Sequence, residues 1–307
     1  MNKPLSISVG IAAYNADKNI GNMLRSLIRQ KGNRYSLLEI VVHSDASNDN
    51  TVKVVKSIRN KKIKIIDNRQ RKGFAGSVKK LLEVVRGDVI ILLNDDIKII
   101  DNLLIEKLIK PFIDDKKVGL ICGNPLPLPP INFIDNAITS SVKAYIKMRY
   151  TFRDGNNKYS IDGKILALSN LFIKKLHFPK NISAMGTVDL YLYFSCISHG
   201  FTYLHIKNAV VYYRNPTTFK DYVNWTSRNN ANIYELKKRF GQLVDEEYKK
   251  PTLLLLWFCM GEFIRNPLGC LFIFLTNFYI QFKAKKMGKN FNPTWEVITT
   301  SKNLSKI

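Results

Sequence analysis

Over its first hundred residues the chain switches back and forth between two hydrophobic periods, and that alternation restricts it to one class of fold. Leu5–Ala13, Glu39–His43, Lys62–Asp67 and Asp88–Leu93 read as strands. Between them Ile20–Gln30, Thr51–Ile58 and Ala75–Val85 read as helices, the first with apolar residues at Ile20, Met23, Leu24, Leu27 and Ile28. Strands and helices in this rhythm predict an α/β fold, a Rossmann-like, mostly parallel sheet flanked by helices on both faces. Such sheets bind ligands beyond the carboxyl ends of their strands. Chemistry is therefore expected in Tyr14-Asn15, Ser44–Asn50, Asn68–Gly73 and Asn94–Asp96.

The rest of the chain is less regular. Asp101–Phe112 reads as a helix and Val118–Cys122 as a strand, followed by Gly123-Asn124-Pro125-Leu126-Pro127-Leu128-Pro129-Pro130. So many prolines predict a break in regular structure, a hinge or covering loop. Helices are expected over Phe133–Met148 and Val188–Ser198, with strands near Ile161–Leu168, at Phe201–Ile206 and at Ala209–Tyr213. We expect one domain over residues 1–250, in two halves at 1–123 and 124–250. Residues 251–307 form an apolar and basic C-terminal segment.

In that last segment Leu253–Ile264 and Leu268–Phe282 are strongly apolar, and Lys283, Lys285, Lys286 and Lys289 follow. A spanning helix needs about 20 unbroken apolar residues, and here Glu262, Arg265 and Pro267 interrupt the pair. Short apolar helices flanked by Lys predict a segment lying in the membrane interface. The whole chain of 307 residues carries 48 Lys+Arg against 24 Asp+Glu, a formal charge of +24. That charge suits an anionic membrane surface, a nucleic acid or a phosphorylated small molecule. Nucleic acid is disfavoured, because the basic residues are scattered and no helix-turn-helix, zinc or RNA-recognition signature is present. The four cysteines form no CxxC pair, which argues against a zinc site or disulfide scaffold and for a reducing compartment. The N-terminus shows no cleavable secretion signal.

Asn94-Asp95-Asp96 ends the most hydrophobic strand of the chain. Adjacent carboxylates raise each other's pKa, a cost that a divalent cation removes, and Mg²⁺ or Mn²⁺ takes oxygen ligands together with substrate phosphates. The plainer reading of each Asp is a helix N-cap. Ser44-Asp45-Ala46-Ser47-Asn48-Asp49-Asn50-Thr51 follows the second strand, where Asp45 can accept from a base imide N–H or merely cap a loop. Tyr14-Asn15 supplies an aromatic wall and an amide. Three polar clusters at neighbouring strand ends favour one site over three separate caps. A nucleotidylyltransferase-like enzyme would need a Gly-rich phosphate loop after the first strand, and Ala12-Ala13-Tyr14-Asn15 is not one.

Ala13-Tyr14-Asn15, Ser44–Thr51, Gly73-Phe74-Ala75-Gly76-Ser77 and Arg86-Gly87-Asp88 leading into Leu93-Asn94-Asp95-Asp96 together resemble the family 2 glycosyltransferases, in order and spacing, over about the first 125 residues. The resemblance implies a GT-A type fold, a nucleotide-sugar donor (a UDP-sugar being expected), Mg²⁺ or Mn²⁺, and inversion at the anomeric carbon. It places Ala13, Tyr14 and Asn15 at the base and ribose, Asp45 on the uracil-like imide, and Gly73 where the chain passes close to the nucleotide. Asp96 matches the metal ligand of the family's DxD motif, Asp95 its variable middle place, and Asn94 stands where the first Asp usually is. Arg71 and Lys79 replace residues that are often Asn. Further on, Asp189 in Gly186-Thr187-Val188-Asp189-Leu190 matches the position of the catalytic base, with Asp162 in reserve, although the acidic pair before it is missing. Tyr213 stands where many relatives carry a metal-binding His. Asn224-Trp225-Thr226-Ser227-Arg228 resembles a degenerate Gln-x-x-Arg-Trp signature, in which Arg228 would hold the departing diphosphate; the alternative reading of Trp225 is core packing. The expected acceptor is a glycan or a polyprenyl-type lipid, met at the cytoplasmic face of the cell membrane through a peripheral or monotopic C-terminal segment.

Overall fold

The computed structural model describes residues 4–179, 188–229, 233–249, 251–287, 298–302 and 304. Its centre is one eight-stranded sheet made of β1 (Leu5–Ala13), β2 (Tyr35–Asp45), β3 (Ile63–Asn68), β4 (Val89–Asn94), β5 (Ile97–Lys98), β6 (Val118–Pro127), β7 (Ile165–Ser169) and β8 (Thr202–Tyr213). The order across the sheet is β3-β2-β1-β4-β7-β6-β8-β5. β1 to β4 pair in parallel, so their carboxyl ends share one edge. β7 then enters antiparallel between β4 and β6, β6 and β8 run parallel, and β5 closes the far edge antiparallel to β8. The sheet is therefore mixed, and the strands of residues 124–250 extend it without forming a second one.

Side-chain alternation along the strands builds two cores. Ile7, Val9, Ile11, Val89, Ile91 and Leu93 face α1 (Asp17–Ile28), α2 (Thr51–Ser57) and α4 (Leu104–Asp114). Ile90, Leu92, Leu166 and Leu168 face α3 (Gly73–Val84) and α7 (Val188–Ser198). α5 (Phe133–Thr151) starts at Asn132, whose side chain accepts the Asp135 N–H at 2.9 Å. α6 (Asn170–Ile173) follows β7. α8 (Phe219–Asn229), α9 (Ile233–Phe240) and α10 (Gln242–Glu247) lead to the apolar pair α11 (Thr252–Arg265) and α12 (Pro267–Met287).

Two expectations are corrected here. The proline run does not end the strand: β6 continues to Pro127 in register with β8. Pro125 and Pro127 are two apart, so both ring nitrogens face away from β8, on the side where β7 pairs only with Leu120–Cys122. Leu128 on the alternate register donates its N–H to Tyr213 O at 2.8 Å. Proline thus falls only where no ladder donor is needed. Likewise the two strands expected at Phe201–Ile206 and Ala209–Tyr213 are one continuous β8, which absorbs the interruption as a register shift opposite Cys122/Asn124.

The Arg86-Gly87-Asp88 motif works at the opposite edge from the strand ends. Asp88 Oδ2 accepts Ser6 N–H at 2.9 Å and Ser6 Oγ–H at 2.7 Å, tying the start of β4 to β1. A Cβ at Gly87 would lie 2.6 Å from Ser8 N, which only glycine avoids.

Candidate active site

β2, β1 and β4 are adjacent and parallel, so Asp45, Tyr14-Asn15 and Asn94-Asp95-Asp96 emerge along one edge. Two strand spacings, about 10 Å, separate the outer clusters. Asp45 is buried, and its carboxylate accepts Lys72 N–H at 2.8 Å and Gly73 N–H at 2.7 Å, with Asn68 Nδ2 at 3.4 Å. These bonds draw the start of α3 against β2, and Gly73 makes the turn with φ +77°. Of the carboxylate's approximately four lone-pair positions, some remain for a ligand.

The next two loops are locked together. Asn15 (φ +50°) donates its N–H to Ser47 Oγ at 3.1 Å and accepts Asn48 N–H at 3.0 Å on its side chain. Ala46 also stands at positive φ, +60°. Asn tolerates the left-handed region, whereas Ala pays about 1 kcal/mol for it, so the hydrogen bonds between the loops hold an unfavourable backbone. The Arg71 guanidinium lies over the Tyr14 ring, 3.8 Å from its centroid, which brings Arg71 into the site. Lys79 sits on α3, half-buried.

Asp95 is buried; its Oδ2 accepts Tyr14 N–H at 2.7 Å and the Lys302 ammonium at 2.9 Å. Burial raises its pKa, the neighbouring Asp96 adds to this, and Lys302 opposes it. Asn94 Oδ1 and Asp96 Oδ1 are different: both are buried, and among the described residues neither has a hydrogen-bond partner. Orphaned buried oxygens are costly in a native fold and call for an explanation. A hard divalent cation supplies one, because it takes oxygen ligands and completes its shell with substrate phosphates and water. Among the described residues no three His, Cys, Asp or Glu side chains form a preformed cage, so the chain's share of such a shell is small.

The sheet's second half adds a cluster that sequence reasoning placed only in part. Asp162 precedes β7 and accepts Lys164 N–H at 2.9 Å, and the Lys164 ammonium approaches it at 3.4 Å. Lys164 also lies over the Tyr213 ring at 4.4 Å, and its carbonyl accepts Asn94 N–H at 3.2 Å. Burial disfavours the ammonium, but Asp162, Tyr213 and Asp96 outweigh it and hold the Lys164 pKa above its ordinary value. Asp189, in the first turn of α7, lies close behind: a Cβ at Gly163 would be 3.8 Å from Asp189 Cβ. Burial first, and then Asp162, push the Asp189 carboxyl up to about 6. Asp96, Lys164, Asp162 and Asp189 thus form a charged run from the parallel edge to α7. Lys164 was missed because the pattern placed it inside a strand; only the antiparallel return of β7 beside β4 brings it to Asn94.

Trp225 packs against Tyr222 with ring centroids 6.4 Å apart, in the cluster of Ala137, Ile138 and Ile273, so its packing reading holds. Arg228 lies on α8 with its side chain outside the described residues, as do Gly186 and Thr187 entirely.

The sheet order and the polar edge define a GT-A type glycosyltransferase fold. The mannosyltransferase PcManGT from Pyrobaculum calidifontis, solved with GDP-Man and Mn²⁺, matches with a TM-score of 0.56 at 17% identity, over 94% of this chain and 77% of that one. Glucosyl-3-phosphoglycerate synthase from Mycobacterium tuberculosis, solved with Mn²⁺, UDP and glucosyl-3-phosphoglycerate, matches with a TM-score of 0.54 at 16% identity, over 77% and 80%. The chain belongs to glycosyl transferase family 2, whose family model matches residues 8–174, and the protein is a glycosyltransferase. Among curated relatives, UDP-Glc:alpha-D-GlcNAc-diphosphoundecaprenol beta-1,3-glucosyltransferase WfgD of Escherichia coli is 25% identical over 91% of this chain and 94% of its own length. Poly-beta-1,6-N-acetyl-D-glucosamine synthase of Staphylococcus aureus (strain COL) is 28% identical over 38% of this chain and 27% of its own.

Proposed function

We propose that the protein is an inverting, metal-assisted glycosyltransferase that moves a sugar from a UDP-sugar to a lipid-linked or glycan acceptor at the cytoplasmic face of the membrane. The observation that carries this is the pair of orphaned buried oxygens, Asn94 Oδ1 and Asp96 Oδ1, at the parallel edge, which Lys164 and Asp162 connect to Asp189. The extent of the likeness to the E. coli glucosyltransferase, nearly end to end, supports a UDP-sugar and a polyprenyl diphosphate-linked acceptor.

In this reading Ala13, Tyr14 and Asn15 wall the base and ribose, Asp45 accepts the imide N–H, and Gly73 lets the backbone pass close to the nucleotide. Asn94 and Asp95 hold the ribose side of the donor. Asp96 is the residue that would hold Mg²⁺ or Mn²⁺, which when bound offsets the charge of the leaving diphosphate. Arg228 is the candidate for its outer oxygens. Asp189 takes the acceptor hydroxyl's proton as the oxygen attacks the anomeric carbon in line. A carboxylate with its pKa near 6 is ionised at neutral pH yet basic enough to serve. Lys164, between Asp96 and Asp162, keeps three neighbouring carboxylates from repelling one another.

The membrane part rests on α11 and α12. α12 buries Gly269, Ile273, Thr276 and Ile280 while Leu268, Phe274, Leu275 and Phe278 are exposed; on α11 Leu253, Trp257 and Ile264 are more than 70% exposed. This is a helix pair with its apolar side outward, too large a patch to leave in water. Among the described residues no helix is long and apolar enough to cross a membrane, so the pair is read as lying in the interface. The experiment is a panel of UDP-sugars with a polyprenyl diphosphate-linked monosaccharide, scored for product and anomeric configuration. One UDP-sugar should give an inverted product; transfer from none, or retention, would refute the proposal.

A further inference from the structure

The contacts of Lys302 extend the donor site beyond the sheet. Lys302 ends a 3-10 turn, Thr299–Lys302, more than two hundred residues from the strand edge it touches. Its ammonium donates to Tyr14 O, to Asn15 O at 3.4 Å and to Asp95 Oδ2 at 2.9 Å. A lysine ammonium has three N–H donors, and here each has an acceptor. The turn is not loosely draped. Thr300 gives its N–H (3.2 Å) and its Oγ–H (2.6 Å) to Asp221 Oδ2 and accepts Thr217 N–H at 3.2 Å; Lys302 O accepts Asn19 Nδ2 at 2.5 Å. Ile298 and Leu304 on either side are buried.

Two features of the donor edge need what this ammonium supplies. Tyr14-Asn15 is a corner held with Asn15 at φ +50°, and the two carbonyls of that corner converge on Lys302. Asp95 is buried next to Asp96, where an unpaired carboxylate is strongly disfavoured. We propose that Lys302 is a positioning residue for the nucleotide: the C-terminal turn locks the Tyr14-Asn15 corner and neutralises Asp95, so that the base and ribose wall is formed before the donor arrives and Asp96 alone faces the diphosphate. This rests on the donor-site reading above. Without the ammonium the corner loses two hydrogen bonds and Asp95 loses its cationic partner, so nucleotide binding has to rebuild the wall. Once donor is bound, the acceptor chemistry at Asp189 is untouched.

Titration of UDP into the full chain with Mn²⁺ tests this. Lys302→Ala and a chain ending at residue 297 should each weaken UDP binding by about ten- to a hundredfold, the scale of losing hydrogen bonds to a charged group. Lys302→Arg should recover most of the affinity, and KM for the donor should rise in Lys302→Ala while kcat at saturation stays within about twofold. Equal UDP affinity in wild type, Lys302→Ala and the shortened chain would overturn the inference, as would tighter binding in the variants, which would make the turn a plug. A loss seen equally in Lys302→Arg and Lys302→Ala would overturn it too. Failure of the wild-type chain to bind UDP would instead strike the donor-site reading itself, so the two failures are distinguishable.

Discussion

At the residue scale the account turns on how burial sets charge. Asp189 holds its proton more tightly in the folded chain than a free Asp does, with its pKa at about 6 against about 4. As a base it has to be ionised, so the rate at saturating donor and acceptor should fall below pH 6, and a pH–rate profile without an acidic limb near 6 would remove Asp189 from that role. Asp189→Asn should lower kcat by about a hundredfold or more. The same shift has a stability consequence of definite sign. The folded state's extra hold on the proton is present in full below about pH 4 and is lost as pH rises through about 6. Asp189→Asn should therefore melt higher than wild type at pH 7.5 and lose that advantage at pH 4. A second buried charge is structural. Asp135 accepts from Arg214 (3.1 Å), Asn215 Nδ2 (3.2 Å) and the Ile131 N–H (3.1 Å), with both ionic side chains almost wholly enclosed. Asp135→Ala removes the carboxylate that balances the buried Arg214 guanidinium and should cost about 3–5 kcal/mol in denaturant unfolding.

At the element scale, the helices that leave the sheet carry the membrane claim. α11 reaches α5 through Glu262, which pairs with Lys147 at 2.6 Å and Arg265 at 2.9 Å, and α12 stacks on α5 through Phe133–Phe272. Because Leu253, Trp257 and Ile264 face away from these contacts, the exposed apolar side can be altered without opening the fold. Removing everything after Lys250 is a poor test, since it also removes Lys302. Replacing Leu253, Trp257 and Ile264 together by Ser should cut sedimentation with anionic phospholipid vesicles at least several-fold with little change in melting temperature; unchanged sedimentation would dismiss interfacial docking. Elements were legible where one period dominates. β1 and α7 begin and end where the apolar pattern does, because the buried strand has both faces covered and the helix is apolar over most of its turns. The proline run was misleading because the cost of proline in a strand depends on which way its nitrogen faces, and that depends on where a neighbouring strand stops.

At the scale of the whole molecule, the parallel half of the sheet brings three polar clusters to one edge, and the mixed half brings Asp162, Lys164 and Asp189 up beside them. The first convergence could be read from residues, since each cluster directly follows a recognisable strand and parallel neighbours share an edge. The second could not: Lys164 meets Asn94 only because β7 runs antiparallel between β4 and β6, and Lys302 reaches Asp95 across 207 positions of sequence. The edge also explains the chain's charge balance locally. Asp95 and Asp96 sit among Arg71, Lys164 and Lys302, so the site can accept a diphosphate without a large acidic cluster to repel it. The central claim is that Asp96, at this edge, links a divalent cation to a uridine nucleotide. The direct measurement is calorimetric titration of UDP with and without Mn²⁺, for the wild-type chain and for Asp96→Ala. The account predicts UDP binding that Mn²⁺ strengthens at least tenfold in the wild type and does not strengthen in Asp96→Ala. Equal strengthening by Mn²⁺ in both proteins would contradict it.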